Sequence, residues 1–189
     1  MTDDLIPKQD DAIRKQYETH GAQSYYEQFG ATYRNPHEPI IVDVLAYALA
    51  TWSLDTTHVL DLACGSGEVT LALRAQGVMH ITGVDPYTGT AYNERTGQIA
   101  LPYRFEEIAS GALTEIYSLI ACSFAMHLVE ESRLPTLCYT LASHAPDLVI
   151  LTPHKRPQIK AAWGWQLRDE TVINRVRARW YHSTQFIDE

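Results

Sequence analysis

The stretch HVLDLACGSGEVTLAL, residues 58–73, places small residues between a run of strand formers and a run of helix formers. HVLDLA predicts a buried strand, and EVTLALRAQG predicts a helix that Gly77 can end. Glycine adopts backbone angles that other residues avoid, and it has no side chain to keep a ligand away. Free N–H groups at a helix start also suit an anionic group. The loop therefore indicates either a tight turn or a place where a ligand contacts backbone.

Strand-like and helix-like runs alternate about five times along the chain. Beyond the first strand, the predicted strands are HITGVD, LPYRFEEI, YSLIACSFAMHL and DLVILTP. TVINRVRARWYHS predicts a late strand at an edge of the sheet, and PYTGTAYNERTG a loop or short helix. The alternation predicts an α/β fold, with a doubly wound, mostly parallel sheet in a three-layer sandwich. Ligands of such sheets bind beyond the carboxyl ends of the strands, where the strand order reverses.

Composition limits the classes of partner. A net charge of −8 disfavours a broad electrostatic grip on nucleic acid, although a local basic patch stays open. The three cysteines, Cys64, Cys122 and Cys138, form no C-x-x-C pair and are interpreted as reduced thiols. The start has no signal-peptide pattern, and no apolar run reaches the roughly 18 residues of a membrane span. We therefore expect a cytoplasmic protein with no membrane partner.

An acid follows the second predicted strand. GVDP places Asp85 at the carboxyl end of that strand, 18 residues past Gly67. A carboxylate there can accept hydrogen bonds from the two hydroxyls of a ribose. The alternative is that Asp85 caps a helix or forms a turn.

Two ligand classes combine a glycine loop with a ribose. Dinucleotides prefer G-x-G-x-x-G, but Thr70 occupies the third glycine position here. Asp61, just before the loop, would repel a pyrophosphate and would suit a cationic group. S-adenosylmethionine carries an amino group, a sulfonium and a ribose, so it fits the pattern better. A nucleotide-dependent oxidoreductase is disfavoured accordingly.

At these residues the sequence resembles the class I S-adenosylmethionine-dependent methyltransferases, over roughly residues 40–153. VLDLACGSGEV is similar to their first motif, with Ala63 where many members have glycine, and GVDP is similar to the second. The resemblance implies S-adenosylmethionine as cofactor, a Rossmann-like methyltransferase domain over residues 39–189 and an N-terminal helical lid over residues 1–38. The cofactor-binding residues that it implies are Asp61, Ala63, Cys64, Gly65, Ser66, Gly67, Asp85, Pro86, Phe105, Glu106, Cys122 and Ser123.

The methyl acceptor is less constrained. Related enzymes that methylate bases or side-chain amides carry an (N/D/S)-P-P-(Y/F) tetrapeptide after the fourth strand, where this chain reads CSFAMH. A small molecule or a small exposed group is therefore the favoured acceptor. Methylation of tRNA or protein is an alternative, because KRPQIK and RVRARW supply local positive charge. A non-catalytic, cofactor-binding regulator is another. The oligomeric state is left open.

Candidate catalytic residues follow the later strands. His127 could act as a general base, or it could orient a loop or pack in the core. His154, with Lys155 and Arg156 beside it, could receive an acidic substrate group, or it could belong to a solvated turn.

The segment YYEQFGATYRNPHEP concentrates aromatic and polar residues. It predicts a lid over the cofactor and acceptor, or packing of the first helices onto the sheet. Tyr26 and His37 are its candidate catalytic residues. No metal site is predicted, because His37, His127 and His154 lack the spacing of metal ligands.

Overall fold

A computed structural model describes residues 22–187 of the chain. Within that range six strands form one sheet: β1 (Val59–Leu62), β2 (Ile81–Val84), β3 (Leu119–Ser123), β4 (Asp147–Thr152), β5 (Trp165–Ile173) and β6 (Val176–Ser183). The strand order is β2-β1-β3-β4-β6-β5. The first four strands are parallel, and β6 runs antiparallel to both of its neighbours. The predicted mostly parallel sheet is confirmed.

Helices cover both faces of the sheet. The α-helices of the described range are α1 (Ala22–Phe29), α2 (Glu38–Thr51), α3 (Glu68–Ala75), α4 (Gly89–Thr96), α5 (Phe105–Ala109) and α6 (Leu134–Ala142). Side chains alternate along β1, so Val59 packs with α2 and α3 while Leu60 and Leu62 pack with α5 and α6. This arrangement confirms the predicted three layers. Among residues 22–187, no helix is long and apolar enough to cross a bilayer.

The strand order reverses at β1, which lies between β2 and β3. The register pairs Leu62 with Val84, so the glycine loop and Asp85 leave the sheet side by side. The N–H of Cys64 donates to the carbonyl oxygen of Val84 at 3.0 Å and continues this pairing into the loop. Strand order and register therefore place the loop and the acid at one crevice.

The prediction of a strand over LPYRFEEI is wrong. Leu101 makes a single parallel bridge to Val84, and the chain then enters α5. Pro102 lacks the N–H that a continuing ladder needs. The Glu107 carboxylate then accepts a hydrogen bond from the N–H of Arg104 at 2.8 Å, which stabilises the start of the helix.

The late strand is also not an edge strand. β6 lies between β4 and β5, and β5 forms the edge. The alternating pattern runs through a hairpin turn at Asn174 and Arg175, whose φ angles are 47° and 68°. Two successive residues with positive φ match the twist of a tight hairpin, and asparagine tolerates that conformation. The single strand predicted over TVINRVRARWYHS therefore consists of the end of β5 and the whole of β6.

Candidate active site

A cavity of about 190 Å³ lies beyond the carboxyl ends of β1, β2 and β3. It is several times the roughly 30 Å³ that a water molecule occupies, so it has room for part of an organic ligand. Leu62 and Val84 line it from the sheet, and Ile108 lines it from α5. The predicted switch-point crevice is thus an open space.

The two loop glycines, Gly65 and Gly67, have different surroundings. Gly67 has a φ of 91°, and a Cβ there would lie 2.5 Å from Cγ2 of Thr96 on α4. Gly65 has a φ of 55° and lines the cavity, and a Cβ there would lie 3.2 Å from the ring of Tyr33. Gly67 therefore permits close helix packing, whereas Gly65 leaves backbone facing the cavity. Gly67 thus fits the tight-turn interpretation, and the ligand interpretation stays a prediction for Gly65.

Asp85 lines the same cavity and is 9% exposed. Its Oδ1 accepts hydrogen bonds from the N–H groups of Tyr87 and Thr88 at 2.8 and 3.0 Å. Its Oδ2 accepts a longer one from the N–H of Gly65 at 3.3 Å. Burial raises the pKa of this carboxyl above its ordinary value, and the backbone donors oppose that rise. Asp85 thus holds the turn before α4 through one oxygen and offers the other at the cavity.

Asp61 lies beneath the loop and does not line the cavity. It is fully buried, and its Oδ2 accepts hydrogen bonds from the N–H and hydroxyl of Thr70 at 3.0 and 2.7 Å. Its Oδ1 has no partner among the described residues. Burial raises the pKa of Asp61 to about 7, and the carboxylates of Glu68 and Asp85 add to the rise. Thr70, which occupies the third glycine position of the dinucleotide motif, thus supplies hydrogen bonds to one of the two Asp61 oxygens.

Glu68 was missed by the sequence analysis. It begins α3, is 3% exposed and lines the cavity. Its carboxylate accepts hydrogen bonds from the N–H of Asn35 at 3.0 Å, from the N–H of Ser66 at 3.1 Å and from the Ser66 hydroxyl. Arg95 approaches it at 3.3 Å and also pairs with Glu38 at 2.5 Å. The only sequence signal for the position of Glu68 at the cavity was that it is an acid in the first turn of a predicted helix.

The segment before α2 reaches the cavity. Tyr33 and Asn35 line it, and the ring of His37 stacks on Phe124, another lining residue, at 4.8 Å. Gly30 packs so closely that a Cβ there would lie 2.5 Å from the carbonyl oxygen of Tyr87. Residues 33–37 thus lie at the cavity, and the lid stays a prediction. Residues 1–21 of the predicted lid lie outside the described residues, as does the side chain of Tyr26 in α1.

Some of the other predicted cofactor-binding residues line the cavity and some do not. Ala63, Cys64, Pro86, Phe105, Glu106 and Ser123 line the cavity. Ser66 and Gly67 lie within the loop instead, and Cys122 of β3 is buried on the face of the sheet that α5 and α6 cover. Burial raises the pKa of Cys122 to about 12, so its thiol is neutral.

Among the aromatic residues that line the cavity, the sequence analysis missed Tyr103 and Phe124. Tyr87, Tyr103 and Phe124 line the cavity together with Arg104. The Arg104 guanidinium lies 5.8 Å from the centre of the Tyr87 ring. Tyr87 lies two residues after Asp85, which is the one positional signal in the sequence for this group. Aromatic faces therefore surround the space beside the loop.

The structure brings His127 and His154 together, with ring centres 4.6 Å apart. Neither ring is among the described groups lining the cavity, but Ala125 and Leu128, close to His127 in the chain, are. Burial lowers the pKa of His127 to about 4, and His154 contributes to the lowering. His127 Nδ1 is buried without a partner in the described part of the chain. That part holds no cluster of three residues able to bind a metal ion.

This fold, with a glycine loop and an acid at the switch point, is that of the class I S-adenosylmethionine-dependent methyltransferases. It matches magnesium protoporphyrin IX methyltransferase from Synechocystis PCC 6803, crystallised with S-adenosylmethionine, with a TM-score of 0.59 and 18% identity, over 92% of this chain and 96% of that one. It also matches an rRNA methylase from Escherichia coli, with a TM-score of 0.58 and 16% identity, over 92% of this chain and 75% of that one.

By sequence, the chain belongs to one family with an uncharacterized protein of Schizosaccharomyces pombe. The two are 32% identical over 89% of this chain and 91% of the yeast protein. No model of a known protein family matches the sequence.

Proposed function

We propose that the protein is an S-adenosylmethionine-dependent methyltransferase that binds its methyl donor in the cavity between the glycine loop and Asp85. The observation that carries this proposal is the meeting of bare backbone at Gly65 with the Asp85 carboxylate on one cavity wall. Structures of similar fold include one crystallised with S-adenosylmethionine.

The residues present suit that donor. Gly65 lines the cavity without a side chain, so its backbone can approach the ligand closely. Within residues 22–187, Asp85 Oδ2 accepts the one long hydrogen bond from Gly65, and it is proposed to receive ribose hydroxyls. Phe105 and Ile108 offer apolar contact for a base. A positive charge in the cavity would favour the ionised form of Asp61, which lies close behind the loop.

The bound donor supplies a methyl group on a positively charged sulfur. The task of the chain is to bind and orient the acceptor beside it and to keep water away. Tyr33 and Asn35 cover the loop side of the cavity, and Phe124 lines the side next to β3. These residues are proposed to enclose the acceptor.

We propose His127 as the group that accepts the proton from the methyl acceptor. Its lowered pKa of about 4 leaves the ring neutral at pH 7 and able to accept a proton, although it is then a weaker base than an ordinary imidazole. His154 lies against it and is proposed to orient it, while His37 positions Phe124 by stacking. Tyr26 remains a sequence prediction.

The proposed acceptor is a small molecule or a small exposed group. The enclosed aromatic lining favours a compact acceptor, and a net charge of −8 disfavours a long polyanion. Methylation of RNA or protein, or cofactor binding without catalysis, would be the alternatives.

Calorimetry with S-adenosylmethionine and S-adenosylhomocysteine tests the proposal. We expect micromolar binding, weakened at least about tenfold in Asp85→Asn, because a charge-assisted hydrogen bond to ribose is lost. Asp43→Asn, an exposed acid on α2, is the matched control and should bind normally. Absence of heat with both compounds would remove the proposal. Binding without transfer of labelled methyl to any extract fraction would support the non-catalytic alternative.

A further inference from the structure

A basic surface lies beside the cavity, at the end of β4. It consists of His154, Lys155, Arg156 and Arg175, which we call the basic corner. We propose that the basic corner binds a carboxylate or phosphate group of a small methyl acceptor. This inference rests on the proposed methyltransferase function and specifies the substrate class for it.

Basic residues are concentrated in one part of the chain. Residues 155–179 hold seven of the 15 lysines and arginines and only two acidic residues, in a chain of net charge −8. Arg177 and Arg179 both pair with the Glu170 carboxylate. Lys155, Arg156 and Arg175 are exposed and make no ion pair within residues 22–187. Their charge therefore remains available to a ligand.

Strand register brings the members of the corner together. Thr152, the last residue of β4, pairs with Arg177 of β6. Arg175, two residues earlier in the hairpin turn, therefore extends past the end of β4 to where the loop with Lys155 and Arg156 begins. Two segments separated by about twenty residues thus bring positive charge to the same end of the sheet.

The loop of the basic corner is held by buried hydrogen bonds. Arg179, 3% exposed, donates to the carbonyl oxygens of Lys155 and Pro157, each at 2.8 Å. Thr152 Oγ1 accepts a hydrogen bond from the N–H of His154 at 3.1 Å. A binding loop that is already ordered loses less entropy when it binds a ligand. Arg179 is therefore a positioning residue that does not itself face the solvent.

The basic corner adjoins the cavity through a short path. The ring of His154 lies 4.6 Å from that of His127, and Leu128, the next residue, lines the cavity. An acceptor whose reactive atom lies in the cavity can therefore place an anionic group at the corner. The same path passes His127, the proposed proton acceptor.

The surroundings favour a compact anion over a nucleic acid. Glu130 and Glu131 are exposed just after the turn that carries His127, and Glu106 lies at the cavity. A nucleic acid strand presents successive phosphates and needs a continuous basic track. Glu106 and Glu130 share one basic partner, Arg133, so this acidic group keeps a net negative charge and interrupts such a track. One carboxylate or phosphate needs only the basic corner.

The test uses the full chain saturated with S-adenosylhomocysteine and titrated separately with inorganic phosphate and with acetate. The ring NMR signals of His127 and His154 report binding at the corner. We expect a saturable shift with at least one of the anions. Lys155→Glu with Arg156→Glu should weaken it at least about tenfold, through lost charge-assisted hydrogen bonds. Arg168→Glu on the exposed edge strand β5, which matches the charge change of either single reversal, should respond like the wild type.

Affinity for S-adenosylhomocysteine, measured on every sample, separates this inference from the proposed function. Normal affinity with no saturable shift from either anion overturns the anion site and leaves the function standing. An unchanged response in Lys155→Glu with Arg156→Glu also overturns the anion site. If that variant does not fold, an unchanged response in Lys155→Gln with Arg156→Gln overturns it instead. A salt-sensitive complex with a short RNA oligonucleotide, lost in Arg156→Glu, overturns the small-acceptor class. Failure to bind S-adenosylhomocysteine overturns the methyltransferase proposal instead.

Discussion

The N–H of Gly65 donates a hydrogen bond to Oδ2 of Asp85 at 3.3 Å, which joins the loop after β1 to the acid after β2. The two residues are 20 positions apart in the chain, and the parallel pairing of β1 with β2 brings them together. One of the partners is bare backbone and the other a carboxylate. A ligand that displaces this long hydrogen bond can contact the Gly65 backbone and the Asp85 carboxylate at once.

Gly65→Ala should weaken binding of the methyl donor. A Cβ at Gly65 would lie 3.2 Å from Tyr33 and from Glu68, and its φ of 55° also disfavours a side chain. Gly97→Ala is the matched control, because its φ is 72° but nothing lies within 4 Å of its Cβ position. We expect both variants to lose about 1–2 kcal/mol of unfolding free energy. Calorimetry should find weaker S-adenosylhomocysteine binding in Gly65→Ala alone, and equal binding in the two would contradict the role of Gly65.

Gly30→Ala should loosen the segment that carries Tyr33. The added Cβ would lie 2.5 Å from the backbone oxygen of Tyr87, so one of the two segments must move. Overpacking of this kind costs about 1–3 kcal/mol, and the strain should appear as faster dissociation of S-adenosylhomocysteine in stopped-flow measurements. Gly89→Ala, where the Cβ meets nothing within 4 Å, is the control. An unchanged dissociation rate in Gly30→Ala would show that the segment does not retain the ligand.

Asp61→Asn should alter how stability depends on pH. The pKa of Asp61 is raised from 3.8 to about 7 in the folded chain, so the folded state binds a proton that the unfolded state releases. The stabilisation from this proton is complete below pH 3.8 and is lost as the pH rises through 7. Relative to the wild type, the variant should therefore gain about 2–4 kcal/mol between pH 4 and pH 8. Urea unfolding across this range tests it, with Asp43→Asn as control, and parallel curves would contradict the buried, protonated Asp61.

His127→Gln should have the opposite pH dependence. The pKa of His127 is lowered from 6.5 to about 4 by burial and by His154, so protons bind the unfolded state first. Wild-type stability should fall as the pH drops from 6.5 towards 4, and the variant should gain about 1–3 kcal/mol over it there. His80→Gln, an exposed histidine before β2, is the control. If His127→Gln tracks the wild type at pH 5, then His127 is not buried in a neutral form.

Local pattern was sufficient for most of the α/β framework. β1, α3 and β2 were predicted from HVLDLACGSGEVTLAL and HITGVD, because strand runs, glycine turns and helix runs are features of neighbouring residues. LPYRFEEI failed since Pro102 interrupts a ladder whose partner strand is distant in sequence. The late strand was misplaced because a period of two continues unchanged through the hairpin turn at Asn174 and Arg175.

The sequence by itself determined that a glycine loop and an acid stand at the ends of two consecutive strands of an α/β sheet. Only the tertiary structure decided which neighbours reach the cavity. Ser123 lines it while Cys122 is buried, and Glu68 lines it while Asp61 lies beneath the loop. Adjacent residues of a strand point to opposite faces, and a side chain reaches a ligand only where the strand ends and the packed helices leave space. That space depends on contacts between distant segments, such as Asn35 with Glu68, which no local pattern encodes.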